Sequence, residues 1–196
     1  MTKVFSIAYL LLTLRYLVIA GIAFLVFYYI KPARLMRLRI QSAFPKKKDY
    51  YREIAYSMLS FVFFAGYFVL LFVTPVRQYT RIYNYPSDLG WPYFFISIFL
   101  CIIIHDTYFY WTHRLMHHPK LFKTFHVLHH KSTNPSPWAA FAFQPLEAIV
   151  EGSIAAVIVF LIPIQQYAFL GFFVFSTAYN VYGHLGYEIY PQWLIK

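Results

Sequence analysis

Three long apolar runs, at residues 7–30, 54–76 and 93–111, divide the chain into hydrophobic stretches joined by polar loops. Each is long enough for the roughly 20 residues that cross a ~30 Å hydrocarbon core. Two shorter runs, 146–162 and 164–182, meet at Pro163, and a proline between apolar segments predicts a hairpin. The pattern predicts an all-α, polytopic membrane protein with four to five membrane-embedded helices. The first run is longer than the apolar core of a cleaved signal peptide and is interrupted by Arg15. It is read as a retained span, with Arg15 snorkelling or facing protein.

Composition agrees: 60% of residues are apolar, 23% aromatic and 12% charged, far from a soluble globular mix. The net charge of +10 would suit a nucleic-acid partner, but eight of the seventeen Lys and Arg lie in residues 31–53, between the first two spans. A short basic loop there follows the positive-inside rule and argues against nucleic acid; contact with anionic lipid headgroups adds modestly. The single Cys101 excludes a disulfide framework and a Cys-ligated iron–sulfur cluster. Residues 1–92 are read as an N-terminal transmembrane region with a basic cytosolic loop, and residues 93–196 as the chemistry-bearing domain.

None of the eight histidines lies in the first 104 residues, and seven fall between 105 and 130. With the basic loop cytosolic, parity returns the third span to the cytosolic side, and the hairpin brings His184 back there. All the histidines are thus expected on one face of a bacterial inner membrane or the endoplasmic reticulum.

Within HDTYFYWTHRLMHH, residues 105–118, His113 and His117 are four apart and share a helix face. Asp106 falls on the same stripe, placed to accept a ligating ring's second N–H. Pro119 suits the first turn of a new helix, expected to carry His126, His129 and His130. A joint HxxxH and HxxHH pattern offers five imidazoles, more than one tetrahedral zinc site uses. A dinuclear centre is the natural reading, and imidazole suits iron as well as zinc or copper. His184 is a further candidate ligand. Glu188, which follows it in GHLGYEIY, is a candidate catalytic carboxylate beside Asp106. Glu147 and Glu151 enter the next apolar segment together; they are either functional intramembrane carboxylates or interfacial partners of Arg114 or Lys131.

The segments HDTYFYWTHRLMH, HVLHH, NPSPWAAFAFQPLEA and NVYGHLGYE resemble the fatty acid hydroxylase and sterol desaturase superfamily of membrane di-metal oxidases, over roughly residues 93–190. The resemblance implies a di-iron centre that activates dioxygen with electrons from a haem or ferredoxin carrier protein. It implies attack on a C–H bond of a sterol or fatty acyl lipid, giving hydroxylation or desaturation. His113 and His117 match the first histidine box, His126, His129 and His130 the second, and His184 a later ligand position. The family pattern leads one to expect another HxxHH downstream of His184, and a histidine where Gln144 stands. The former is not found before Lys196, so the chain is expected to be either a truncated or a degenerate member. Two rival readings stay open: a haem-binding membrane electron carrier and a non-catalytic lipid-binding protein. A zinc protease is disfavoured because no HExxH occurs.

Overall fold

Helix α1 (Thr2–Phe24) runs into a π-helical turn (Leu25–Ile30) that stops at Lys31, whose φ of 48° is left-handed. The structure, a computed structural model, describes residues 1–31 and 33–189. After the short α2 (Ala33–Met36), α3 (Lys47–Phe72) starts where the Asp49 carboxylate accepts the Lys46 backbone N–H at 3.1 Å. That contact satisfies one of the donors orphaned at a helix start. At its far end Thr74 donates to the Leu70 carbonyl at 2.7 Å, and Pro75 prevents continuation.

A two-residue strand β1 (Ile82–Tyr83) precedes α4 (Gly90–Met116), which begins at Gly90 with φ 80°. Then follow α5 (Pro119–Phe125), α6 (Pro145–Gly152), α7 (Ile154–Leu161), β2 (Ile164–Gln165) and α8 (Gln166–Gly183). The two strands pair in parallel, Ile82 opposite Ile164, tying together the connections at the end far from the histidines. Around Pro163, α7 ends and β2 leads into α8.

Among the described residues three helices are long and apolar enough to cross a membrane: Thr2–Ile30, Lys47–Phe72 and Gly90–Met116. Their outer faces, such as Leu14, Val18 and Ile22 on α1 and Phe95 and Phe99 on α4, are exposed. Apolar faces of that extent call for hydrocarbon rather than water.

Inside, α1 packs on α3 and α8, α3 on α6, and α4 on α8. Tyr16 is fully buried, meets Phe61 edge-on at 5.3 Å and donates to the Trp138 carbonyl at 2.7 Å. A second apolar cluster unites Cys101, Ile158, Ile164 and Phe172. Residues 1–92 therefore pack directly on the histidine-bearing half. At the near end, Tyr28 donates to the Leu185 carbonyl at 2.8 Å, Arg52 to Ser132 at 3.3 Å and Ser136 to Glu53 at 2.5 Å. These bonds gather the end of α1, the start of α3 and the end of α8 around the segment that carries the histidines.

Candidate metal centre

The last turn of α4 presents His113 and His117 on one face, as their spacing requires, and their Nε2 atoms lie 3.1 Å apart. His130 Nε2 is 3.2 Å from His117 Nε2. Ring atoms of His113, His117 and His126 all come within 4.8 Å of one another. His126 stacks on His129 at 5.1 Å between ring centroids, and His129 meets His184 at 5.4 Å. Six predicted ligands thus form one cluster.

The way the second histidine group gets there differs from expectation. Helix α5 ends at Phe125, His126 is its C-cap, and His129 and His130 sit on a 3-10 turn (His129–Lys131). Gln144 supplies the reason. Its Oε1 accepts the Leu128 N–H at 3.0 Å, and its Nε2 donates to the Lys123 and Thr124 carbonyls at 3.4 and 3.2 Å. A side-chain amide has taken over groups that a continuing helix would pair along its own axis.

Gln144 is also the N-cap residue of α6, with Pro145 at its first position. The α6 carboxylate Glu147 accepts the Gln144 N–H through Oε2 at 3.2 Å and His126 Nδ1 through Oε1 at 2.5 Å. The carboxyl group bonded to a histidine ring is therefore Glu147 and not the expected Asp106. Asp106 is exposed on α4 and bonds to no histidine ring among the described residues. Nor does Glu147 pair with Arg114, which donates to Tyr110 OH at 2.9 Å. Glu188 lies beyond α8 with an exposed side chain, and its backbone N–H donates to the Leu38 carbonyl at 2.7 Å. Of the remaining histidines, His105 stacks on Phe109 and His118 caps α5 through the Lys120 N–H. The Gln-Pro-Leu-Glu spacing is a capping-box signal, and it is the sequence feature that could have singled out Glu147.

The donor set fits a transition-metal ion. With its Nδ1–H given to Glu147, His126 keeps a lone pair on Nε2, and that buried atom has no protein partner; His129 Nδ1 is likewise buried and unpartnered. An orphaned buried acceptor is costly unless a ligand satisfies it. His184 donates Nδ1–H to the Asn180 carbonyl at 2.8 Å, leaving its Nε2 free. Two nitrogens held about 2.0–2.1 Å from one ion sit roughly 2.9–3.4 Å apart at angles between about 90° and 109°. The separations of 3.1 and 3.2 Å fall within that window.

Electrostatics point the same way. Burial pushes the pKa of His126 down, and burial followed by the neighbouring rings pushes His129 and His130 down. Burial also lowers His184, with the Asn180 bond opposing it. Neutral rings are what metal ligation requires.

His113, His126, His129 and His184 line one end of a chamber of about 640 Å³ whose walls are largely apolar. That volume lies within the range of about 300–1,000 Å³ usual for small-molecule sites.

A sequence profile described as fatty acid hydroxylase matches residues 98–196. Among curated proteins, the chain is 36% identical over 123 residues to a Delta(7)-sterol 5(6)-desaturase of Gibberella zeae, covering 63% of this chain and 38% of that one. It is 34% identical over 135 residues to a Delta(7)-sterol 5(6)-desaturase of Aspergillus fumigatus, covering 68% and 40%. With the lathosterol oxidase of Mus musculus it shares 28% over 148 residues, covering 74% and 50%. The chain therefore spans half or less of the length of these relatives. No solved structure matches it. The clustered histidines all lie inside the matched region, and a match across residues 98–196 of a 196-residue chain means that this protein belongs to the fatty acid hydroxylase family.

Proposed function

We propose that this protein belongs to a membrane-bound oxidoreductase that desaturates or hydroxylates a lipid, with a sterol as the substrate class. The observation that carries the reading is the opening of the histidine cluster into an apolar chamber among membrane-length helices. The names of the sterol-desaturase relatives favour a sterol over a fatty acyl chain.

The proposed cofactor is a di-iron centre. His113, His117, His126 and His130 would hold one ion and His129 and His184 would contribute to a second. Bound iron would supply the activation of dioxygen and the redox chemistry for an unactivated C–H bond. The overall balance is one dioxygen, two electrons and two protons per turnover. Desaturation then releases two waters, and hydroxylation one water and the alcohol. The electrons come from a haem or ferredoxin carrier protein. Glu147 holds the Nδ1 proton of His126, which keeps Nε2 aimed into the cluster. Phe141 and Phe143 keep that end of the chamber dry. Asp106, which also lines the chamber, and Glu188 stay proposed catalytic carboxylates that await substrate contact.

The basic loop after α1 lies at the same end as the cluster, since Arg39 pairs with Tyr187 across a backbone bridge. By the positive-inside rule that end faces the cytosol. Labelling of Gln41→Cys by an impermeant thiol reagent should occur only from the cytosolic side, and labelling from the opposite side would reverse the orientation.

The deciding experiment is metal analysis of the full-length protein purified in detergent, together with sterol turnover. The reading expects about two irons per chain, and loss of both iron and turnover in His113→Ala and His129→Ala. A metal-free protein whose turnover survives those substitutions would end it. An intense haem absorption band would favour an electron carrier instead.

A further inference from the structure

Arg15 lies near the middle of the apolar stretch Thr2–Ile30, where a charge is least welcome. It does not snorkel out to either end: it lines the chamber with the α1 residues Val4, Ala8 and Leu11. Its Nε is buried without a partner. Among the described residues no hydrogen bond or ion pair engages its guanidinium; the ion pairs present join Arg52 to Asp49 and His126 to Glu147. A donor-only group with nothing to donate to is costly in an apolar enclosure, and a bound acceptor would resolve that cost.

Two further observations define the acceptor. Asp106, Glu147 and Glu151 line the same chamber, so an anionic headgroup there would lie among acidic side chains and not among further cations. A neutral hydroxyl can accept from Arg15 and is not repelled. Arg15 is also the α1 lining residue nearest the histidines in sequence order. The next residue, Tyr16, meets Phe141 at 6.1 Å, and Phe143 meets His129 at 5.7 Å. Toward the other end the chamber is walled by Val4, Phe72 and Phe169.

Resting on the sterol reading above, we propose that Arg15 donates a hydrogen bond to the hydroxyl oxygen of the bound sterol. It thereby selects a sterol alcohol and turns its hydroxylated ring toward the histidine cluster. The hydrocarbon tail lies along the apolar half of the chamber. Arg15 is a specificity-determining residue in this arrangement and takes no part in the redox chemistry.

The test is equilibrium binding of tritiated cholesterol and of tritiated cholestane, the same skeleton without its hydroxyl, to the full-length protein in detergent. Wild-type protein should bind cholesterol about tenfold more tightly than cholestane, the scale of one charge-assisted hydrogen bond. Arg15→Met should abolish that preference by weakening cholesterol alone, and Arg15→Lys should retain part of it. Unchanged cholesterol binding in Arg15→Met overturns the assignment while leaving the sterol reading intact. Equal weakening of both ligands makes Arg15 a packing residue and also overturns it. If wild type binds neither sterol but holds tritiated oleate through Arg15, the sterol reading falls together with the hydroxyl assignment.

Discussion

His126 and Glu147 meet through Nδ1 and Oε1 at 2.5 Å, and each side chain is only 1% exposed. They are twenty-one residues apart in sequence and belong to different elements, the end of α5 and the first turn of α6. The pair fixes the imidazole tautomer, and the second carboxylate oxygen caps α6 at the Gln144 N–H. One side chain therefore links the start of a helix to the orientation of the His126 ring.

Glu147→Gln keeps the size of the side chain but replaces a carboxyl oxygen by an amide nitrogen, which weakens the partner that faces His126 Nδ1. Substitutions at such ring-orienting partners typically cost about 10–100-fold in metal affinity. We expect that loss on iron titration of the metal-free protein. Thermal stability should fall less than in Glu147→Ala, which also removes the α6 cap, worth about 1 kcal/mol. Unaltered iron affinity in Glu147→Gln would show that the pair is structural only.

Gln144 makes three contacts to the loop that delivers the second histidine group. Gln144→Ala strands the Leu128 N–H and frees two carbonyls. The cost of unsatisfied groups, about 1–3 kcal/mol where they are buried, should appear as a lower melting temperature and faster hydrogen exchange at Leu128. Exchange at Leu128 as slow as in the wild type would mean that the loop holds its shape without the amide.

Much of this was legible in the sequence for a simple reason: both signals are periodic. The apolar runs of membrane length and the four-residue spacing of His113 and His117 are properties of a helix considered alone. His126, His129 and His130 were also identifiable as a group, but their helix was not, because α5 is ended by a side chain sixteen residues beyond Leu128. Asp106 satisfied the helix-face criterion, yet its stripe faces the chamber rather than a ring nitrogen. Glu147 reaches the cluster only through the tertiary packing of α5 on α6. The conflict over Arg15, between snorkelling and facing protein, likewise needed the chamber to resolve it.

The depressed pKa values of His126, His129, His130 and His184 make acid sensitivity a further consequence. In the unfolded chain these rings titrate near about 6.5; in the folded protein they resist protonation. Below that pH the unfolded state binds more protons, so stability falls as pH falls. The contribution is fully present above about pH 6.5 and is lost on acidification through the lower, folded-state range. Burial raises Glu147 and Glu151 to about 8, and these carboxyls take up protons in the folded state and oppose the histidines, so the histidine contribution is read as the change in the thermal-melt profile of the metal-free protein below about pH 6.5 when one ring is removed. On acidification below about pH 6.5 the melting temperature of His129→Phe should rise relative to that of the wild type, because one buried ring that resists charging is gone. Parallel profiles for the wild type and His129→Phe down to about pH 5 would contradict the buried, neutral cluster.

Gly152 of α6 faces two aromatic rings of α3. A Cβ placed there would lie 2.8 Å from a Tyr67 ring carbon and 2.9 Å from a Phe64 ring carbon. In an open helix, replacing Gly by Ala gains roughly 0.5–1 kcal/mol from backbone entropy and propensity. Here the added methyl meets two aromatic rings, and Tyr67 is tied by its hydroxyl to the Ile149 carbonyl at 2.9 Å. Overpacking of this kind typically costs about 1–3 kcal/mol, enough to outweigh the gain, so Gly152→Ala should lower the melting temperature. Because Phe64, Tyr67 and Gly152 all line the chamber, the displaced rings should also narrow it. Combining Gly152→Ala with Phe64→Leu, which makes room for the methyl, should recover much of the lost stability in a double-mutant cycle. Additive losses in that cycle would place the strain elsewhere.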